Sequence, residues 1–331
     1  MSPPSPLPAP TDAVLRVDYR RVPLDTLLDA PGTLAVLGFG DGAPAAHADP
    51  RYLHVALPAL GDAPFECWQV EGSVRHGRSE GIAWSEDGAL QFGALEVADD
   101  GNAEAATRLA YQRLQAWLGD SGYPHPLRIW NYLDAITAGD SDDERYRRFC
   151  VGRAHGIGRE LAPGELPAAT AIGHPRTTGR LQLYWLAAKI PGTPLENPRQ
   201  LQAWRYPRQY GPQAPGFARA LLPPSPRMPL LISGTAAIVG HASQHGDSLH
   251  TQFDEVVANL GSLVDAARTR RPGLAARAST HTRLKAYVRD ASALPVVDAL
   301  LADRFPDVPR LVLHGHVCRR ELAVEIDGVH G

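Results

Sequence analysis

Cysteine is scarce: Cys67, Cys150 and Cys318 are the only three in 331 residues. They are too few and too scattered for a disulfide framework or a C-x-x-C metal knuckle, which points to a reducing compartment. Long apolar runs are also missing. None approaches the roughly 20 residues that a membrane helix needs, and the start Met1-Ser2-Pro3-Pro4-Ser5-Pro6 lacks the basic and then apolar pattern of a secretory signal. A cytoplasmic, membrane-free protein is expected. Neither sign of charge dominates, with 33 Lys+Arg against 36 Asp+Glu and a net charge of -3, which disfavours a nucleic-acid or polyanion partner. What is present is ordinary for a globular chain: 44% hydrophobic and 21% charged residues. The length exceeds the roughly 250 to 300 residues at which single cores stop growing, so two domains are expected. Thirty prolines and 31 glycines fall mostly between patterned segments and mark a turn-rich α/β chain.

A Pro-rich leader, expected to be frayed, precedes short β-like runs at residues 15–22, 34–39, 52–57 and 67–74. Residues 1–80 are therefore read as a strand-rich extension without a motif. From residue 81 the chain repeats itself, and a repeat is stronger evidence of fold than any local motif. One copy, 81–190, runs from a strand at 88–94 through a helix near 104–118 to strands at 128–135, 167–174 and 181–187. The other, 227–331, has a strand at 229–235, a helix near 252–267 and strands at 283–290, 309–316 and 322–326. Arg128 matches Arg283, Tyr132 matches Tyr287, Gly173 matches Gly315 and His174 matches His316. Leu109, Leu114 and Trp117 in one helix, and Phe253, Val256, Val257, Leu260 and Leu263 in the other, fall at helical spacing. This order describes two tandem α/β (α+β) units, mixed sheets with helices on one face.

The last two runs flank Arg319-Arg320-Glu321 and read as a hairpin. With a four-residue loop Cys318 would lie opposite Ala323 and His316 opposite Glu325; a three-residue loop would break that registry. A solvated polar face is the other reading of the same alternation. The first copy, however, offers only Leu183 or Tyr184 where the second has Glu325. A carboxylate that its twin folds without is a candidate for function. Between the copies, the strap at 191–226 concentrates Trp204, Arg205, Tyr206, Arg208, Tyr210, Phe217 and Arg219. Rings beside guanidinium groups suit a planar anionic small molecule. An aromatic-anchored strap packed over the sheet would use the same residues, and so would a nucleic-acid groove, which the overall acidity disfavours.

Ser233-Gly234, Gln252, Arg283 to Tyr287, Arg310 and Glu325-Ile326 resemble the pattern of the enamine/imine deaminases, the RidA or YjgF family, except that Pro309 directly precedes Arg310. The tandem copies, the strap segment 206–212, the run 145–153 and the run 313–328 resemble more specifically the chorismatases, chorismate hydrolases also described as pteridine-dependent dioxygenase-like. The resemblance covers about residues 80–328. It implies cleavage of chorismate to pyruvate and a ring product. Cysteine at position 318 resembles the branch forming 3-hydroxybenzoate, whereas alanine there marks a branch forming a dihydroxycyclohexadiene carboxylate. Some members also release 4-hydroxybenzoate, feeding quinone (ubiquinone) and aryl-polyene pigment pathways.

The resemblance further implies Glu325 as general acid, Arg153 and Arg219 as carboxylate clamps, Tyr146 and Tyr206 as hydroxyl donors, and Arg208 and Tyr210 in the same wall. Cys318 would steer the ring chemistry, or be a small buried hydrophobe. The acid role requires burial that raises the carboxyl's pKa. No cofactor and no metal is implied; the expected partner is the small-molecule substrate alone, and the tandem units allow a monomer. Three competing readings remain open: a metal or pteridine oxygenase using His241, His245 and His250 or His314 with His316, an enamine/imine deaminase, and a non-catalytic ligand-binding module.

Overall fold

The computed structural model describes residues 11–331; the expected fraying of the Pro-rich leader falls on residues outside that range. Three large sheets and one two-stranded ribbon carry the described residues. The first is built from β1 (Arg16–Arg20), β2 (Thr33–Phe39), β3 (Tyr52–Val55) and β4 (Phe65–Gln69), with the short helix α1 (Leu24–Asp29) between β1 and β2. The second holds β5 (Arg75–Ser79), β6 (Ile82–Glu86), β7 (Leu90–Ala98), β8 (His125–Asp134), β9 (Ala168–His174) and β10 (Arg180–Ala188). Its helices are α2 (Ala103–Asp120) and α3 (Arg145–Ile157). The third comprises β11 (Thr193–Leu195), β12 (Ala220–Leu222), β13 (Leu230–Ala236), β16 (Arg283–Val288), β17 (Arg310–His314) and β18 (Val324–His330). A small ribbon, β14 (Ile238–Val239) with β15 (Ala242–Ser243), and the helices α4 (Leu249–Arg270) and α5 (Leu294–Arg304) accompany it. Among the described residues no helix is long and apolar enough to cross a membrane.

The strand orders expose one pattern used three times. β7-β10-β8-β9 and β13-β18-β16-β17 have the same order, with the last pair parallel and the others antiparallel, and β1-β4-β2-β3 repeats it. The segment from β1 to β4 is thus a third, shortened version of the unit, while β5, expected in the same extension, pairs with β6 in the second sheet. Leu37 and Trp68 from the first sheet, Trp130, Tyr132 and Tyr184 from the second, and Tyr287 and Leu313 from the third meet in one buried core.

Local chemistry explains the helices. Asn102 caps α2 by accepting from the Ala105 N–H at 3.0 Å, and Ala103, Ala106, Thr107, Ala110, Leu114 and Leu118 form its buried stripe. Leu109 departs from expectation: it is 48% exposed, because its position falls on the opposite side of that stripe. Ser248 caps α4 by accepting from Thr251 N–H. The run 145–153 is helical, and Gly152 and Gly156 let α3 press against α2. A Cβ at either would stand 2.3 Å from the Glu104 carbonyl oxygen or 2.6 Å from that of Arg108.

The final hairpin does not form. β17 is an edge strand parallel to β16, and β18 lies on the other side of β16, antiparallel to it and to β13. A parallel edge strand cannot reach its successor through a tight turn and needs a crossover. Here residues 315–323 cross the end of β16, and Arg289 bonds the carbonyls of Leu322 at 2.9 Å and Arg319 at 2.7 Å. Glu325 therefore lies beside Tyr287 and Ala236, and His316 bonds the backbone of Gly173 in β9 instead. The twin position also changes. Tyr287 pairs with Glu325 and its match Tyr132 pairs with Gln182, so the first unit holds Gln182, not Leu183 or Tyr184, at this place.

Candidate active site

Glu325 is a buried residue of the central strand β18, pointing across Gly234 of β13 toward Thr170 of β9. It closes one end of a cavity of about 340 Å³ bounded by the start of α3, β9, the strap, β13 and the crossover 318–321. Only glycine permits this approach: a Cβ on residue 234 would stand 1.9 Å from Glu325 Oε1.

Burial raises the Glu325 carboxyl from 4.5 to about 8, with the nearby Asp327 carboxylate adding to the shift; Arg128, Arg219 and Arg289 oppose it. Asp327, two residues along on the same strand face, sits at the heart of the three-sheet core. It pairs with buried Arg128 at 3.0 Å, and accepts from Trp130 Nε1 at 2.9 Å, Thr170 Oγ1 at 2.8 Å and Tyr287 OH at 3.1 Å. The network ties the acid's backbone and its field to both neighbouring units. A second buried pair, Lys285 with Glu66 at 2.7 Å, joins the third sheet to the first.

Six of the eight residues expected at the site meet here. Glu325, Cys318, Tyr146, Tyr206, Tyr210 and Arg219 line the cavity. Cys318 is a neutral thiol, pushed up to about 12 first by desolvation and then by Glu325. Burial also holds the Tyr146 phenol protonated. Arg219 donates from Nη2 to Tyr206 OH and to the Leu201 carbonyl, each at 2.8 Å, and its guanidinium lies over Phe217. Tyr210 OH shares a hydrogen bond of 3.2 Å with His241 Nδ1.

Two expected members are placed elsewhere. Arg208 is exposed on the outside of the strap and ion-paired with Asp142 at 2.8 Å, because its short 3-10 turn aims it away from the wall that Tyr210 joins. Arg153 is buried one layer behind, lining a neighbouring cavity of about 280 Å³. Its guanidinium lies over Tyr111, and its Nη1 is 3.9 Å from the position of a Cβ on Gly216, whose neighbours Pro215 and Phe217 face the Glu325 cavity. Sequence reasoning missed Thr170 and Arg319. Thr170 carries no motif. Arg319 follows Cys318 directly, but the supposed hairpin put it at a solvent tip. Among the described residues no group of three or more His, Cys, Asp or Glu is arranged to hold a metal ion.

The fold and the cavity define a small-molecule enzyme architecture, a thrice-used α+β unit with a neutral buried carboxylic acid at one junction. Comparison with known proteins gives the family. Residues 66–187 match the family described as chorismatase FkbO/Hyg5-like, N-terminal. A chorismatase of Streptomyces rapamycinicus is 36% identical over 273 residues, 80% of this chain and 81% of that one. A 3-hydroxybenzoate synthase of Streptomyces hygroscopicus is 35% identical over 289 residues, 84% of each. A chorismatase crystal structure superposes with a TM-score of 0.83 at 30% identity, covering 98% of this chain and 99% of that one. The chain belongs to the chorismatase family.

Proposed function

We propose that this enzyme cleaves chorismate to pyruvate and 3-hydroxybenzoate, with 4-hydroxybenzoate as a possible second product, and that Glu325 protonates the enolpyruvyl methylene. The observation that carries the reading is a carboxyl held neutral near pH 7 in a cavity with arginine and tyrosine walls. An enol ether gains a proton at its methylene carbon to give an oxocarbenium ion, and the ring C–O bond then breaks as pyruvate leaves. Direct loss of the ring proton beside the remaining hydroxyl gives 4-hydroxybenzoate; the 3-isomer forms when that hydroxyl first closes on the vacated carbon as an arene oxide, which then opens at its original carbon with loss of the proton from the newly oxygenated one. Pyruvate and a hydroxybenzoate together contain the atoms of chorismate, so no further reactant is required. The site must supply a proton, hold two carboxylates and exclude bulk water.

In this proposal Arg219 binds a carboxylate, Tyr146 and Tyr206 donate hydroxyls, Tyr210 completes the wall, and Arg153 adds positive charge from behind the strap. The two units are residues 81–190 and 227–331, with 191–226 as the strap; three sheets closing on one core make a monomer the proposed state. The deaminase reading is less well supported, since Arg310 pairs with Asp298 at 2.6 Å instead of lining the Glu325 cavity. Incubation with chorismate, following pyruvate and the aromatic products, tests the proposal; no pyruvate would overturn it.

Two variants probe the geometry. Gly234→Ala should displace the Glu325 carboxyl and lower kcat by about 100-fold or more, in line with the sensitivity of catalysis to misplacement. The protein should still fold, because the clash is with the tip of a side chain; a wild-type kcat would show that the carboxyl need not lie over residue 234. Cys318→Ala should change the ratio of aromatic products more than the rate, since a neutral thiol acts through its size and weak S–H rather than as a thiolate. An unchanged ratio by chromatography would leave Cys318 as packing.

A further inference from the structure

Chorismate is a dianion, and Arg219, whose Nε is buried without a partner, lines the cavity as one clamp. A second fork is therefore required, and the other arginines lining the cavity differ in what they already hold. Arg320 is spent: Nε donates to the Thr137 carbonyl at 3.0 Å, and both terminal nitrogens engage Asp140 at 3.3 Å. Arg147 makes no hydrogen bond among the described residues, but its charge is already paired with the Asp142 carboxylate at 3.9 Å. Arg319 differs. Only its Nη1 is committed, to the His241 carbonyl at 2.9 Å and Ser243 Oγ at 3.0 Å. Its guanidinium stacks 4.0 Å from the centre of the Tyr210 ring and 5.2 Å from that of Tyr206, and the residue lines the cavity. No carboxylate lies within 4.0 Å of it among the described residues.

The side chain is thus held by one nitrogen and by two rings, leaving the Nε–Nη2 edge unbonded. That edge is the one from which arginine grips a carboxylate with two parallel hydrogen bonds. The two arginines flank the Tyr206 ring, Arg219 5.5 Å and Arg319 5.2 Å from its centre. Arg219 acts on Glu325, whereas Arg319 acts on Cys318 and Tyr146. Glu325 delivers its proton to the methylene next to the enolpyruvyl carboxylate, so the carboxylate beside Arg219 is that one.

We infer that Arg319 is a substrate-binding residue that grips the ring carboxylate through its Nε–Nη2 edge, a role that rests on the chorismate reading above. Stacking on Tyr206 and Tyr210 then makes the strap's position depend on the same guanidinium that holds the ring. The ring carboxylate survives in 3-hydroxybenzoate and is absent from pyruvate, which separates the two clamps experimentally.

The test uses the full chain, Arg319→Gln and Arg319→Lys, with 3-hydroxybenzoate binding followed by calorimetry and pyruvate inhibition followed in the chorismate assay. Arg319→Gln should weaken 3-hydroxybenzoate by about tenfold or more and raise the chorismate KM similarly, with kcat changed by less than about threefold, as expected for loss of a charge-assisted fork. Arg319→Lys should recover part of the affinity, and inhibition by pyruvate should be unchanged in both. Wild-type affinity for 3-hydroxybenzoate in Arg319→Gln, no binding to the wild type, or equal loss of 3-hydroxybenzoate and pyruvate would each overturn the inference. Should the wild type release no pyruvate from chorismate, the functional reading falls while calorimetry with 3-hydroxybenzoate still decides whether Arg319 grips an aryl carboxylate.

Discussion

Glu325→Gln is expected to abolish pyruvate release from chorismate while leaving a folded protein. A carboxamide has the size of the neutral acid but no transferable proton, so the variant keeps the packing over Gly234 and loses the chemistry. Fold tolerance has an internal precedent, since the first unit carries Gln182 at the matching place. The raised pKa also predicts pH behaviour. The acid must be protonated to act, so wild-type kcat/KM should fall as the pH rises through about 8. For stability, the folded state keeps a proton that the unfolded chain releases between the ordinary value of 4.5 and about 8. Wild-type stability therefore falls as the pH rises across that window, and above it the buried carboxylate remains a fixed penalty. Glu325→Gln removes that slope and should be at least as stable as the wild type in alkaline buffer. Pyruvate assays and thermal melts at a series of pH values check both; normal turnover by the variant would remove Glu325 from the mechanism.

Asp327→Asn is expected to have the largest effect on stability. Arg128 and Asp327 are both fully buried, and the substitution leaves the Arg128 guanidinium without its counter-charge in the core where the units meet. Removing one partner of such a pair costs roughly 3 to 5 kcal/mol, measurable as a lower midpoint in urea. Replacing both partners with apolar residues of similar volume should restore most of the loss, since the cost comes from the uncompensated charge. The same variant acts on the site. It removes a negative charge that raises the Glu325 carboxyl and leaves Arg128 unopposed, and both changes favour the ionised acid. The alkaline limb of the pH profile should move to lower pH. An unmoved limb would mean that burial alone sets the acid's pKa.

Much of this molecule is legible in order of residues. Alternating and helical periodicities are local, so the sequence marked β2, β8, β9, β10, β13 and β16, and the helices α2 and α4, within a few residues. The repeat was visible from 81 onward because each unit retains the same Arg-x-x-x-Tyr strand. The third unit, running from β1 to β4, was hidden, since α1 has only 6 residues in place of the long helix and its strands keep no matching motif. Leu109 shows the limit of spacing: a helix's buried stripe is chosen by what packs on it.

The candidate site divides along the same line. The sequence by itself determined that Glu325 has a polar, asymmetric place and that the strap holds arginine and aromatic side chains. Only the tertiary structure decided that β16 separates β17 from β18, that Arg208 faces Asp142, that Arg153 stands behind Gly216, and that Arg319 faces inward. The physical reason is that a side chain's type and period are properties of the chain, whereas the choice of strand partner, the burial that keeps Glu325 protonated and the guanidinium edge left free depend on contacts between residues far apart in sequence.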